Sequence, residues 1–334
     1  MLETIIAGIM LISLILYGVM GGADYGGGMW DLLASGVRGQ RQRHAIAEAI
    51  APIWEANHVW LILVIVLLFS AFPRAFSAIM IALHIPITAM LIGIVLRGSA
   101  FAFRKYDSKE DAVQRRWSTV FGVASFLTPF FQGLTMGALA TGDIHLVGDN
   151  VTTGYFAGWL TPFALACGLF ALALFAFLAA TYITVDTRSE PDLQQDFRLR
   201  AIWAQIASIG LAVLVFITSR DGAPLMYRGL TNWWAPLLLG WTALSTVTAL
   251  LALWFRIFNL ARIAAVAEVT IILVGWGLAQ FPHLVTPDVT IQNAAASEST
   301  LRPLLIALGA GVVVLVPSLL YLLQIFKRQG TAVK

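Results

Sequence analysis

Residues 5–22 read IIAGIMLISLILYGVMGG, an apolar run without a charged side chain. As one α-helix, a run of this length crosses the hydrocarbon core of a bilayer, which is about 30 Å thick. Further apolar runs follow at about 50–69, 75–96, 117–140, 157–183, 201–219, 234–255, 263–281 and 303–326. The sequence therefore predicts an all-α integral membrane protein with about nine transmembrane helices.

Composition agrees with this prediction. Hydrophobic residues make up 59% of the 334 positions and charged residues only 12%, about half the charged share of a soluble domain. Nine spans leave only short connections, so a separate soluble domain is excluded. The one cysteine, Cys167, lies in an apolar run, which excludes a disulfide framework and a cysteine-based metal site.

The basic residues are distributed unevenly. Alternate connections and the tail carry seventeen of the 21 lysines and arginines, with Arg97 counted in a connection at the end of the third span. Since cytoplasmic loops are enriched in basic residues, we expect the amino terminus outside and the carboxyl terminus in the cytoplasm. The net charge of +3 is a sum over charges that lie at helix ends and in loops. It therefore does not indicate a nucleic-acid partner.

Two carboxylates are expected at membrane depth, where a charged side chain costs about 2.5–3.5 kcal/mol. Asp24 follows the first apolar run, and Glu55 lies about 7 Å into the second span from its cytoplasmic end. Half-buried acids at this level can take up and release protons, so the pair could form the mouth of a proton or cation pathway. Alternatively, each carboxylate only satisfies a neighbouring helix through a hydrogen bond.

Other polar residues enter the predicted spans. Glu268 lies about 9 Å along its helix from Arg262, and we expect it to pair with Arg262 or Arg256. Glu268 and Gln132 are candidates for additional polar lining of a pathway. Gly26, Gly27 and Gly28 are expected to end the first helix and to let backbones approach closely.

Metal and haem chemistry find little support in the residues themselves. Glu55 and His58 form a Glu-x-x-His motif, but a di-iron bundle needs a second such motif, which the sequence lacks. His58 and His84 are the histidines placed inside spans. We therefore predict no metal site and no haem held by this chain alone.

Two motifs carry a family resemblance. Residues 22–29, GADYGGGM, and residues 51–61, APIWEANHVWL, resemble subunit II of the cytochrome bd-type quinol oxidases, in particular the short cyanide-insensitive branch. Phe281-Pro282, Asn293 and Ser297 fit the same family, and the resemblance covers essentially the whole chain.

The resemblance implies a heterodimeric terminal oxidase of the bacterial cytoplasmic membrane that oxidises quinol and reduces dioxygen to water. Two haems b and a haem d, or a third haem b, would belong to subunit I, where quinol and dioxygen react. The family fold implies two four-helix bundles plus one peripheral helix, with the first bundle at about 1–140 and the second, with the extra helix, at about 155–328. A small single-helix subunit and a structural quinone or lipid remain open.

The resemblance also assigns residues. Asp24 and Glu55 match the acids associated with proton entry from the cytoplasm, and Trp54, Asn57, His58 and Trp60 match supporting motif positions. Two positions depart from the family pattern: Gly21 stands where many members carry a second acid, and His58 stands where relatives can carry glutamine. Two other functions stay open: a cation-coupled secondary transporter and a purely structural membrane subunit.

Overall fold

The computed structural model describes residues 1–50, 54–106 and 111–332, and these residues form an almost entirely helical protein. Its helices are α1 (Leu2–Leu32), α2 (Gly39–Ile50), α3 (Trp54–Ala71), α4 (Pro73–Ala82), α5 (His84–Tyr106), α6 (Asp111–Thr141), α7 (Pro162–Asp186), α8 (Pro191–Gly222), α9 (Pro224–Leu230), α10 (Ala235–Trp254), α11 (Phe258–Gln280) and α12 (Glu298–Ala332). Two short antiparallel hairpins complete the fold, β1 (Leu146–Val147) with β2 (Asn150–Val151) and β3 (His283–Val285) with β4 (Val289–Thr290).

The helix lengths confirm the prediction of a polytopic all-α membrane protein. Within the described ranges, eight helices are long and apolar enough to cross a bilayer, and α3 with α4 would make a ninth span. These two helices meet at a bend of 115°. The orientation of the termini and the division into two bundles stay predictions.

The third predicted span, 75–96, is wrong in its boundaries. Its first part is the short helix α4, and the spanning helix α5 begins only at His84. Leu83 separates the two, with φ −114° and ψ 21°. Because α5 continues to Tyr106, Arg97 lies within the helix and not in a connection.

The fifth predicted span also begins later than expected. The predicted start was residue 157, whereas α7 begins at Pro162. The hydroxyl of Thr161 accepts a hydrogen bond from the backbone N–H of Ala164, at 3.2 Å. Proline is well suited to the first helical position because it has no N–H to leave unpaired, so this cap fixes the start of the helix.

The glycine run does not end the first helix, which corrects the prediction for Gly26–Gly28. α1 continues through these residues to Leu32. A Cβ on Gly26 would lie 2.0 Å from the carbonyl oxygen of Phe175 in α7, and one on Gly28 would lie 2.0 Å from the Ser125 Oγ in α6. The predicted close approach is therefore present, and packing against two helices outweighs the poor helix propensity of glycine.

α1 lies at the centre of the bundle. It packs against α3, α6, α7 and α11, and its carboxyl-terminal half contributes Tyr17, Tyr25 and Met29 to a shared apolar cluster. The polar side chains of this half are consequently held between helices, away from lipid.

Candidate functional site

A buried ion pair lies at the centre of the molecule, between α1 and α5. Arg97 donates from Nη1 to Asp24 Oδ2 at 2.8 Å and from Nη2 to Asp24 Oδ1 at 2.5 Å. The side chains of Arg97 and Asp24 are 3% and 0% exposed. This bidentate geometry is the strongest arrangement available to an arginine and a carboxylate.

Two further donors and both faces of the Arg97 guanidinium also have partners. Its Nη2 donates to the backbone oxygen of Asp24 at 3.0 Å, and its Nε donates to Ser125 Oγ at 3.1 Å. The rings of Tyr25 and Phe121 each lie 4.8 Å from the guanidinium carbon. The buried cation is thus satisfied by hydrogen bonds and by two aromatic faces.

A second ion pair repeats the arrangement two helical turns further along. Arg104 Nη1 donates to Asp31 Oδ2 at 3.1 Å, and the Asp31 side chain is 1% exposed. Asp24 and Asp31 are seven residues apart in α1, as are Arg97 and Arg104 in α5, a separation of about 10 Å on one helix face. α1 and α5 are therefore joined by two successive acid–arginine pairs.

Hydroxyl groups extend the site along α1. The Tyr17 and Tyr25 hydroxyls are 3.0 Å apart, and the Gln132 side chain of α6 lies beside the Tyr17 hydroxyl. Gln132 Oε1 is buried without a hydrogen-bond partner. Gln132, predicted as additional lining, thus belongs to the same polar group as Asp24.

The start of α3 approaches this group. His58 is half-buried and within electrostatic range of Asp24 and Arg97, and Asn57 is 0% exposed. The Asn57 amide atoms and the Trp60 Nε1 are buried without hydrogen-bond partners. The side chains of Glu55 and Trp54 lie outside the described residues, so their predicted roles stay predictions.

A narrow crevice leads from Asp24 to the end of α7. Its volume of about 20 Å³ is enough for roughly one water molecule. Its walls include Ile50, Tyr182 and Arg262, and it reaches Asp186, which is exposed. The crevice therefore extends from the buried acid to an exposed one, beside the carboxyl-terminal end of α2.

Surface ion pairs hold α2 at this end. Arg38 donates to Asp196 of α8 at 2.7 Å, and Arg41 pairs with Glu190. The Glu190 carboxylate raises the pKa of Arg41 above its ordinary value by hydrogen bonding to the charged guanidinium. The Arg41–Glu190 pair is exposed and the Arg38–Asp196 pair is partly exposed, so they position α2 while adding little stability.

Glu268 lies in a different group, between α8 and α11. Its two carboxylate oxygens accept hydrogen bonds from Gln205 Nε2, at 2.8 and 3.0 Å. The predicted pairing with Arg262 or Arg256 is wrong, because the Arg262 guanidinium lies 4.7 Å from the ring centre of Tyr182 instead. Glu268 is 3% exposed, so the prediction of a buried acid in this helix is correct.

His58 and His84, the histidines predicted inside spans, do not face each other as a pair of haem ligands. His58 is in the first turn and a half of α3, whereas His84 opens α5 after the bent pair has ended. His84 Nδ1 is 2.9 Å from the backbone oxygen of Ile81, and its ring contacts Tyr155 edge-on. A haem ligated by both histidines would need them to face one iron from opposite sides, and these histidines are at different ends of α3.

Sequence reasoning missed Arg97, Arg104, Asp31 and Gln205. Arginines at predicted span ends were assigned to connections, since hydropathy falls at any arginine whether or not it has a buried partner. The matching seven-residue spacings of the two acids and the two arginines were the available signal. No spacing in the sequence points from Glu268 to Gln205.

Comparisons with known proteins identify the family of the chain. Residues 2–326 match the family model described as cytochrome bd terminal oxidase subunit II. A Bacillus subtilis (strain 168) protein named "Putative cytochrome bd menaquinol oxidase subunit II" is 23% identical over 322 residues, which cover 94% of this chain and 92% of that protein. Cytochrome bd-I ubiquinol oxidase subunit 2 of Escherichia coli (strain K12) is 28% identical over 208 residues, 61% of this chain and 52% of that protein.

A solved structure has the same fold. The bd oxidase from Geobacillus thermodenitrificans contains a chain that superposes with a TM-score of 0.79 at 22% identity, covering 97% of this chain and 98% of that one. The helical arrangement described above is therefore that of a bd oxidase chain.

Proposed function

Because the chain belongs to the cytochrome bd terminal oxidase subunit II family, we propose that it supplies part of the proton uptake route of the complex and supports assembly of subunit I. Cytochrome bd is a quinol oxidase, and the chain is a multi-pass protein of the bacterial inner membrane. Reduction of dioxygen to water consumes protons, which must reach a buried centre from the cytoplasm.

The crevice between Asp186 and Asp24 is the observation that carries this proposal. It joins exposed and buried carboxylates at the end of the molecule where the basic connections are predicted to face the cytoplasm. A water molecule in the crevice can hydrogen-bond to Asp186 at the exposed end and carry a proton inward. Asp24 lines the buried end, but its carboxylate is 0% exposed and bound by Arg97, so it holds this wall of the crevice in place, and Glu55 passes the proton toward the partner subunit.

The proposed roles of the two subunits also determine where the haems are bound. The haems b and the haem d, or a third haem b, are assigned to subunit I, as the family resemblance implies; in agreement with this assignment, His58 and His84 do not face each other as a pair of haem ligands. Quinol and dioxygen would react there, and this chain alone would be inactive. A structural quinone or lipid and a small single-helix subunit are compatible with the exposed helix faces.

Replacing Glu55 with glutamine tests the proton role. In the assembled complex, we expect Glu55→Gln to slow quinol-driven oxygen consumption by at least about tenfold, because proton transfer by a positioned side chain contributes that much or more. Glu55→Asp keeps a carboxyl group and should lose less. The measurement is oxygen uptake with quinol in excess.

Glu48→Gln provides the matched control. Glu48 is an exposed glutamate of α2, with 72% of its side chain accessible, and its replacement should leave oxygen uptake unchanged. A visible spectrum of each purified variant shows whether the haem-bearing partner is retained. Normal turnover of a fully assembled Glu55→Gln complex would refute the proton role and leave a purely structural subunit.

A further inference from the structure

Among the described residues, a buried carboxyl group outside the Asp24 site has no counter-ion. Within the described part of the chain, no arginine, lysine or histidine forms an ion pair with Glu268, which is 3% exposed. Its hydrogen-bond donor is Gln205, which is 0% exposed, and the Thr246 side chain of α10 lies beside the carboxyl group. An unpaired ionised carboxylate at this depth would cost several kcal/mol.

Several ionisable side chains of the helices around Glu268 are engaged elsewhere. Those with described partners are Asp24 with Arg97, Tyr17 with Tyr25, Arg262 with the Tyr182 ring, and Arg198 with the backbone oxygens of Leu253 and Trp254. Neutralisation of Glu268 by a neighbouring charge is therefore not available from these groups.

Gln205 supplies the second observation. Its Nε2 donates to both oxygens of Glu268, while its Oε1 is buried and accepts no hydrogen bond. An ionised carboxylate has no proton to donate to this acceptor. A buried acceptor left unpaired costs about 1–3 kcal/mol.

A proton on Glu268 would remove both costs. A carboxylic acid and a primary amide can form a cyclic pair, in which the amide N–H donates to the acid carbonyl and the acid O–H donates to the amide oxygen. The two side chains are already in contact through Nε2, so the cyclic pair requires the Gln205 amide to rotate until Oε1 also faces the acid. Every polar atom of the pair is then satisfied without a charge.

We propose that Glu268 is a proton-binding site in its own right, which holds its proton against Gln205 between α8 and α11, separately from the Asp24 site. The ligand is a proton, and the contact between these two helices is uncharged. This inference does not depend on the proposed role of Asp24 and Glu55.

Infrared difference spectroscopy of the assembled complex tests the site. The spectrum of the wild type minus that of Glu268→Gln should contain one carbonyl band of a protonated carboxyl group, shifted to lower frequency in D₂O. Glu48→Gln, at the exposed glutamate of α2, should instead remove a band of an ionised carboxylate. Loss of an ionised band from Glu268→Gln would overturn the proposal.

Stability gives a second measurement that remains informative if the spectra are crowded. Glutamine at position 268 can form an amide–amide pair with Gln205, so Glu268→Gln should melt within a few degrees of the wild type. Glu268→Leu leaves the Gln205 amide without a partner and should melt distinctly lower. Equal, large losses for both variants would show that the site requires a charge, which also contradicts the proposal.

Discussion

Two buried acids of this chain have opposite kinds of partner. Asp24 faces a cation, with two guanidinium nitrogens on its two oxygens, whereas Glu268 faces the neutral amide of Gln205. Both acids are almost fully buried. Burial alone therefore does not decide how an acid in a membrane is used, because the partner determines whether the charged or the neutral form is stabilised.

The largest expected loss of stability comes from removing the charged partner of Asp24, and a smaller loss is expected from removing the neutral partner of Glu268. Arg97→Leu leaves Asp24 buried without its cation and should destabilise the chain by about 3–5 kcal/mol. Gln205→Leu removes hydrogen bonds from an acid that we propose to be neutral, at about 1–3 kcal/mol. Thermal unfolding of the detergent-solubilised complex measures both.

A double variant controls this experiment. Adding Asp24→Asn to Arg97→Leu removes the stranded charge and should recover much of the lost stability. If Gln205→Leu were as harmful as Arg97→Leu, Glu268 would be charged and the two sites would be alike. If the double variant recovered nothing, the loss would arise from packing around the arginine and not from its charge.

The spans and the burial of both acids could be predicted from the sequence. An apolar run such as residues 5–22 has one stable form in a bilayer, since every backbone group must be paired within the membrane. The cost of a charge at membrane depth marks Asp24 and Glu268 as residues with a special environment. Both inferences follow from the properties of the lipid bilayer and need no knowledge of which helices are neighbours.

The partners could not be predicted in the same way. Arg97 is 73 residues from Asp24, and Glu268 is 63 residues from Gln205, so each contact depends on which helix faces come together. The end of α1 was misjudged for a related reason. Helix propensity counts against Gly26, Gly27 and Gly28, but neighbouring helices occupy the space that side chains would need.

Gly26 of α1 and Gly210 of α8 allow the packing around the two sites to be compared. Substitution of Gly26 is expected to cause the second largest loss of stability. Gly26→Ala places a methyl group 2.0 Å from a backbone oxygen of α7, close to the Asp24 site. We expect a loss of about 3 kcal/mol, at the upper end for overpacking, because a backbone atom cannot turn away. Reduced yield of the assembled complex and a lower melting temperature are the measurements.

Gly210→Ala is the matched change near Gln205. A Cβ on Gly210 would meet nothing within 4 Å in the same chain, so alanine should be neutral or stabilise the helix by up to about 1 kcal/mol. A loss at Gly210 as large as at Gly26 would indicate that a partner chain packs closely against α8. Equal tolerance at both positions would contradict the close contact of α1 with α7.

The smallest expected effect concerns Tyr17, which lies between the two regions. Its ring shares an apolar cluster with Val269, the neighbour of Glu268 in sequence, while its hydroxyl contacts Tyr25 near Asp24. Tyr17→Phe should cost about 1 kcal/mol, because it removes one buried hydrogen bond and keeps the ring. Tyr155→Phe, at a tyrosine that is 71% exposed, should change the stability by less than about 0.5 kcal/mol.

If the sites are independent, the infrared band assigned to Glu268 stays unchanged in Tyr17→Phe. A shift of that band would show that the hydroxyl groups of α1 connect the two acids, and the protonated site would then belong to the same pathway as Asp24.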